Sequence, residues 1–227
     1  MSSPVLPPGQ HERIDLPRFG LTPFATRFPS ELNRIEVRIR GDVDREVVLT
    51  PDFIQANRVA LRADFHCVTT WSVRGLNWSG VRFADFFRKW VVPKASPQGD
   101  ISFVVLRGQD GYHSSLPLQD LLADDVMLAD RLNDAPLGLE HGAPLRLVAP
   151  AHYGYKSVKH IRAIEFWGAT HRYRPVGFAF MAHPRARVML EERGRWPARL
   201  LRLLYRPLVG PTARRFEKAL RSRVAQK

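Results

Sequence analysis

The amino-acid sequence predicts an α+β domain of mixed sheets with short helices, followed by a basic helical tail. Short stretches that alternate apolar and polar residues recur along the chain with short helical patterns between them. They lack the regular strand-and-helix alternation of a doubly wound sheet. Charge is placed unevenly: the formal net charge is +13, and residues 185–227 hold thirteen basic residues against three acidic ones. The body is therefore near balance and the basic feature belongs to the tail. A chain of 227 residues, 44% hydrophobic, builds one substantial core with an appendage rather than two full domains. The expected division is an extended arm over 1–30, the main domain over 31–170 and a C-terminal extension over 171–227.

Residues 1–30 are rich in proline and polar residues, with Phe19, Phe24 and Phe28 as anchors, so they should lie extended on the core. Ile35, Val37 and Ile39 then alternate with charged residues, Gly41-Asp42 turns the chain, and Val47-Val48-Leu49 returns it as a hairpin. Thr50-Pro51-Asp52 is a helix start, with Thr50 as cap and Pro51 at the first helical position, running to about Ala56. Val59, Leu61, Ala63 and Phe65 alternate with Arg62, Asp64 and His66 in a strand that Cys67 ends. A loop rich in glycine and tryptophan is expected next. Beyond it come a short helix at Phe83 to Lys89, a buried strand at Ile101 to Leu106 and a helix at Leu118 to Leu122. Further strands are expected at Leu145 to Val148 and near Val158 to Phe166. In the tail, Trp196, Leu200, Leu203, Leu204 and Leu208 recur at near-helical spacing beside Arg199, Arg202 and Arg206. Pro207 and Pro211 should interrupt this basic amphipathic helix before a second pattern at Phe216, Leu220 and Val224.

Several classes of function are excluded. The stretch through Pro17 has neither an apolar signal core nor a twin arginine, and no segment approaches the roughly 20 apolar residues of a membrane span. The expectation is a soluble cytoplasmic protein whose tail is its only element suited to a membrane surface. One cysteine makes no internal disulfide, and the paired-cysteine spacings of zinc and iron–sulfur sites are missing. There is no Cys-x-x-Cys-His haem motif and no Rossmann glycine fingerprint. A nucleic-acid-binding protein is disfavoured because the body lacks a recognition motif.

Taken alone, Cys67 reads as a small buried hydrophobe. Its surroundings argue for more. His66-Cys67-Val68-Thr69-Thr70-Trp71-Ser72, followed by Asn77-Trp78-Ser79-Gly80-Val81, sets a cysteine at a strand end beside polar and aromatic residues. This run resembles the molybdenum-ligand segment of bacterial proteins of the sulfite oxidase fold family. His141-Gly142-Ala143-Pro144-Leu145-Arg146, continuing to Tyr153-Gly154-Tyr155-Lys156-Ser157-Val158-Lys159, is similar to the family's second signature. Asp110-Gly111-Tyr112 and Ser115-Leu116-Pro117-Leu118 fit the segment between them. The resemblance runs from about Phe19 to Gly168.

The resemblance implies a molybdenum–molybdopterin cofactor with Cys67 as the metal's protein thiolate, a soft ligand suited to such a metal. It also implies cofactor-binding positions at His66, Cys67, His141, Arg146, Ser157, Val158 and Lys159. The implied activity is two-electron oxygen-atom transfer to or from a small substrate such as a sulfoxide or a sulfite-like compound. Cys67 is the first catalytic position, Lys156 stands where sulfite oxidases usually have an arginine, and Tyr155 is a further substrate contact. Val68-Thr69-Thr70-Trp71 departs from the Ala-Gly-Asn-Arg-Arg type run of animal and plant sulfite oxidases, and is more similar to the bacterial methionine sulfoxide reductase catalytic subunit. Electrons would pass through a separate redox partner or a soluble carrier. The alternative is an inactive pterin-binding or interaction domain of the same fold. The tail either packs on the domain or docks an acidic partner or anionic membrane surface.

Overall fold

Two mixed sheets assemble from the alternating stretches. The computed structural model describes residues 5–225. In chain order the strands are β1 (His11–Glu12), β2 (Val37–Gly41), β3 (Val47–Leu49), β4 (Val59–His66), β5 (Trp71–Arg82) and β6 (Ile101–Gly108). They continue as β7 (His113–Pro117), β8 (Met127–Leu132), β9 (Ala135–Pro136), β10 (Arg146–Val148) and β11 (Ile161–Gly168). The helices are α1 (Pro51–Ala56), α2 (Phe83–Phe86), α3 (Val92–Ala95), α4 (Leu118–Leu121), α5 (Ala198–Tyr205) and α6 (Val209–Val224). A π-helical stretch over Phe87–Val91 joins α2 to α3, and a 3-10 turn over Arg206–Leu208 joins α5 to α6. The expected α+β class holds.

The first sheet runs β1-β5-β8-β10, with β4 also on β5 and β9 on β8. Its central strand corrects the expected glycine- and tryptophan-rich loop, because β5 is the longest strand, at twelve residues. Its glycines accommodate neighbours rather than break the strand. Gly75 has φ +65° and donates its N–H to Asp64 Oδ1 at 2.8 Å, beside the register shift between Ala63 and Phe65. At Gly80 an added Cβ would lie 2.1 Å from the Leu128 carbonyl oxygen, so only glycine lets β8 come this close.

The second sheet runs β3-β2-β11-β6-β7, with the expected hairpin pairing Val37 to Leu49 and β11 lying parallel to β2. In its centre the buried Glu165 of β11 accepts hydrogen bonds from Arg40 of β2 at 2.6 Å and Arg107 of β6 at 2.7 Å. At α1, Pro51 occupies the first turn as expected, but the Thr50 side chain makes no capping hydrogen bond.

The main core joins Val37, Ile39, Val104, Leu106 and Ile164 of the second sheet to Val81, Leu128 and Leu147 of the first. Phe83, Phe86 and Trp90 fill it from the helical stretch that follows β5. A second cluster, on the opposite side of the first sheet, holds Cys67, Trp71, Val73, Trp78, Met127 and Ala129, with Leu16 and Phe19 of the arm against it.

The tail differs from its sequence pattern. Leu201 and Tyr205 are the buried residues of α5, whereas Trp196, Leu200, Leu203, Leu204 and Leu208 are all exposed. Pro207 sits in the 3-10 turn that separates α5 from α6, the expected interruption, whereas Pro211 falls in the first turn of α6, where a backbone N–H has no helical acceptor to lose. Phe216 is buried, Leu220 is half-buried, and the Val224 side chain lies outside the described residues. No helix among the described residues is long and apolar enough to cross a membrane.

Candidate active site

The turn from β4 to β5 is built around the cysteine. The Thr70 N–H donates to the Cys67 carbonyl at 3.2 Å and the Cys67 N–H to the Trp71 carbonyl at 2.8 Å, with Thr70 held at φ +82°. Gln10 of the arm donates to the same Cys67 carbonyl at 3.2 Å. Arg193, fully buried, donates to the Val68 carbonyl at 2.6 Å and to the Pro8 carbonyl at 3.1 Å. Arm and tail region thus clamp this turn from two sides. The Cys67 thiol is 7% exposed and lies 3.1 Å from Thr69 Oγ1. Burial pushes its pKa up, while the Thr69 hydrogen bond and the charges of Arg193 and Lys159 act in the other direction.

Cys67 lines a cavity of about 220 Å³ that also receives Arg146, Ser157, Lys159, His160 and Arg18. Arg146 is buried, with Nη1 on the His141 carbonyl at 2.9 Å, Nε on the Leu147 carbonyl at 3.2 Å and Nη2 without a hydrogen-bond partner among the described residues. Burial alone lowers its pKa to about 9. Lys159 donates to the Glu140 carbonyl at 2.7 Å, and burial followed by the nearby charges of Arg146 and Arg18 brings it down to about 7. Arg18 is buried and donates to the carbonyls of Ala25 and Arg27 at 2.6 and 2.9 Å. These three cations make no ion pair among the described residues. Buried positive charge of this kind, with an orphaned guanidinium nitrogen, calls for an anionic ligand.

Gly154 explains how the wall closes. Its N–H donates to the His66 carbonyl at 2.7 Å, and an added Cβ would lie 2.1 Å from the Phe65 ring, so the loop holding Tyr155 and Ser157 rests directly on that ring. Leu16 to Thr22 of the arm and Tyr205, Leu208, Thr212 and Phe216 of the tail line the same cavity. The stacking of Phe19 on Phe216, with centroids 6.3 Å apart, joins the two segments.

A second cavity shares Leu21, Val68, Tyr112, Tyr155, Met181 and Tyr205 with the first and adds, among others, His113, Lys156, His183 and Arg195. Tyr112 donates its hydroxyl proton to the Tyr155 carbonyl at 2.6 Å. The Tyr155 hydroxyl accepts the His183 N–H at 3.0 Å, which leaves its own proton free, and burial raises its pKa. Lys156 is buried and donates to the carbonyls of Ser115 and Pro184 at 2.7 and 2.8 Å, with its pKa lowered to about 7 by desolvation.

Of the residues predicted from sequence, Cys67, Arg146, Ser157 and Lys159 meet in the first cavity, Tyr155 borders both, and Lys156 lines the second. The other three stand back. His66 turns away to share a hydrogen bond with Ser72 Oγ at 2.7 Å. His141 contributes its carbonyl to Arg146 while its ring stands near Glu140 at 3.7 Å, and Val158 is buried in the main core. Sequence reasoning missed Arg18, His160 and Arg193. Only His160, next to Lys159 in the second signature block, carried a local signal.

A buried thiol and three unpaired cations share one cavity, beside a second lined by Lys156 and Arg195, an arrangement suited to an anionic ligand. The chain belongs to the oxidoreductase molybdopterin binding domain family, which residues 25–173 match. It is 33% identical over 169 residues to the uncharacterized oxidoreductase YuiH of Bacillus subtilis, covering 73% of this chain and 81% of that one. It is 25% identical over 189 residues to the protein-methionine-sulfoxide reductase catalytic subunit MsrP of Xanthomonas campestris, covering 72% of this chain and 58% of that one. Among solved structures, the sulfane dehydrogenase SoxCD of Paracoccus pantotrophus aligns with TM-score 0.51 at 23% identity, over 60% of this chain and 39% of that chain, a likeness of fold. The cofactor is therefore molybdenum–molybdopterin, and the unpaired cations and the thiol of the first cavity fit its phosphate, pterin and metal.

Proposed function

We propose that this chain catalyses two-electron oxygen-atom transfer to or from a small neutral or anionic substrate, of the sulfoxide or sulfite-like class. One observation carries the reading: Cys67 opens into the cavity that holds Arg146, Ser157 and Lys159, and that cavity shares Tyr155 with a second, basic one. Cys67 is the metal's thiolate ligand, and Arg146, Lys159 and Ser157 hold the pterin and its phosphate. When bound, the cofactor supplies the two-electron oxygen exchange. The Tyr155 hydroxyl donates its free proton to the substrate oxygen, and Lys156 keeps the second cavity attractive to negative or polarised oxygen. In the reductive direction a sulfoxide takes up two electrons and two protons and leaves as sulfide and water. A separate redox partner or soluble carrier exchanges those electrons.

The test is metal and pterin analysis of protein from a molybdenum-replete host, then turnover of sulfoxides and sulfite with artificial donors and acceptors. Cys67→Ser should remove turnover while shifting stability by only about 1 kcal/mol or less, because the side chains are nearly isosteric. Wild-type turnover in that variant overturns the assignment, and a protein that loads cofactor yet turns over nothing supports an inactive pterin-binding domain.

A further inference from the structure

The segment from Gly194 to Phe216 carries six arginines, at 195, 199, 202, 206, 214 and 215, and no acidic residue. Among the described residues only Arg202 has an ion-pair partner, Glu191 at 3.5 Å. α5 divides this segment into faces. Leu201 and Tyr205 turn inward, while Leu200, Leu203 and Leu204 stand 43%, 74% and 42% exposed and Leu208 follows at 52%. Trp196, at the start of this ridge, stacks on Phe180 with centroids 4.6 Å apart, and Phe180 stacks on Phe178, which is 70% exposed. Arg199, Arg202 and Arg206 flank the leucines and line a groove beside Gly9, Gln10 and His11 of the arm.

We propose that α5 and the Phe178–Phe180–Trp196 stack form a docking face for an anionic lipid surface. The charge has one sign, so the occupant is negative. A second copy would bring the same arginines against these and repel. The apolar side chains protrude as a ridge, even where Leu203 borders the arginine groove and Leu208 the first cavity. Protruding leucines and an indole are accommodated by the headgroup and acyl boundary of a bilayer, which closes around them while arginines reach its phosphates. The helix lies in the plane of the surface with Leu201 and Tyr205 still holding it to the domain. This sets the mouth of the site, which Tyr205 also lines, beside the membrane.

Flotation of the full-length, cofactor-loaded protein with vesicles tests this. Binding is expected to phosphatidylcholine vesicles containing phosphatidylglycerol, to weaken with salt, and to be absent with phosphatidylcholine alone. The double variant Leu203→Glu, Leu204→Glu should bind at least roughly tenfold more weakly, and Arg199→Gln or Arg206→Gln about fivefold each. None of these residues touches the cofactor cavity, so melting temperature and pterin content should stay as in wild type and certify the fold. No binding to anionic vesicles, equal binding to neutral ones, or unchanged binding by the variants overturns the proposal. So does concentration-dependent self-association that the leucine variants abolish, or capture of an acidic protein by this face without any lipid affinity.

Discussion

The guanidinium of Arg146 lies 4.8 Å from the centroid of the Trp78 ring, a buried cation held by an aromatic face and two carbonyls and by no carboxylate among the described residues. The ring face and the carbonyls recover part of the cost of desolvating the charge. The residual cost disappears when an anion binds. Arg146→Met keeps the bulk and removes the charge. Cofactor-free protein should then melt at or above the wild-type temperature, since gain from the removed charge offsets two lost carbonyl contacts, while pterin content falls. A cofactor-free variant destabilised by more than about 3 kcal/mol would make Arg146 a structural residue instead.

Lys159 carries the same logic with a weaker hold. Its ammonium rests on one carbonyl, so an anionic ligand gains one charge-assisted hydrogen bond there, worth roughly 1.5–3 kcal/mol. Lys159→Ala should therefore weaken cofactor retention by about 10- to 100-fold, read as pterin released on dialysis. Retention equal to wild type removes Lys159 from the site.

Cys67, Arg146, Ser157 and Lys159, singled out by the signature blocks, line one cavity, and each belongs to a local run whose neighbours shape its turn. The walls around them were not legible. Arg193 reaches the cysteine turn across 125 residues of chain, and Arg18 and Phe216 meet only because both ends of the chain fold over one cavity. No local pattern encodes such contacts. β5 was hidden for a related reason: Gly75 and Gly80 read as loop punctuation until β4 and β8 lie against them. The tail's apolar pattern gave the helix but not its orientation, since Leu201 and Tyr205, outside the expected stripe, face inward.

Acid should destabilise the protein through His160. Its Nδ1–H donates to the Ala143 carbonyl at 2.6 Å, and burial lowers its pKa to about 4 from the ordinary 6.5. Between those values the unfolded chain binds a proton that the folded one refuses, so stability rises with pH across this window. Lowering the pH from neutral toward 4 should cost at most about 3 kcal/mol at this residue. His160→Asn tolerates the φ of +54° and cannot titrate, so its stability–pH curve should be flatter by that amount. Parallel curves for the two proteins would place the acid sensitivity elsewhere.

Phe216 couples the arm and the tail over the cavity that Cys67 lines. It is 3% exposed, stacks on Phe19, and receives the guanidinium of Arg18 at 5.0 Å from its centroid, while Arg18 also covers Phe28 at 4.4 Å. Truncation to Ala empties the middle of this stack and leaves the Arg18 guanidinium with one aromatic face instead of two. The loss of packing should cost roughly 3 kcal/mol. If the roof is one cooperative piece, the arm and α6 loosen together, so hydrogen exchange should accelerate at Gly20 and Leu21 as well as in α6. Cofactor should leave faster, because Leu208 and Thr212 no longer close the cavity against Leu16 and Phe19. The leucine ridge of α5 is held by Leu201 and Tyr205, so lipid binding should survive. Exchange confined to α6, with pterin release unchanged, would mean that the arm closes the cavity without the tail.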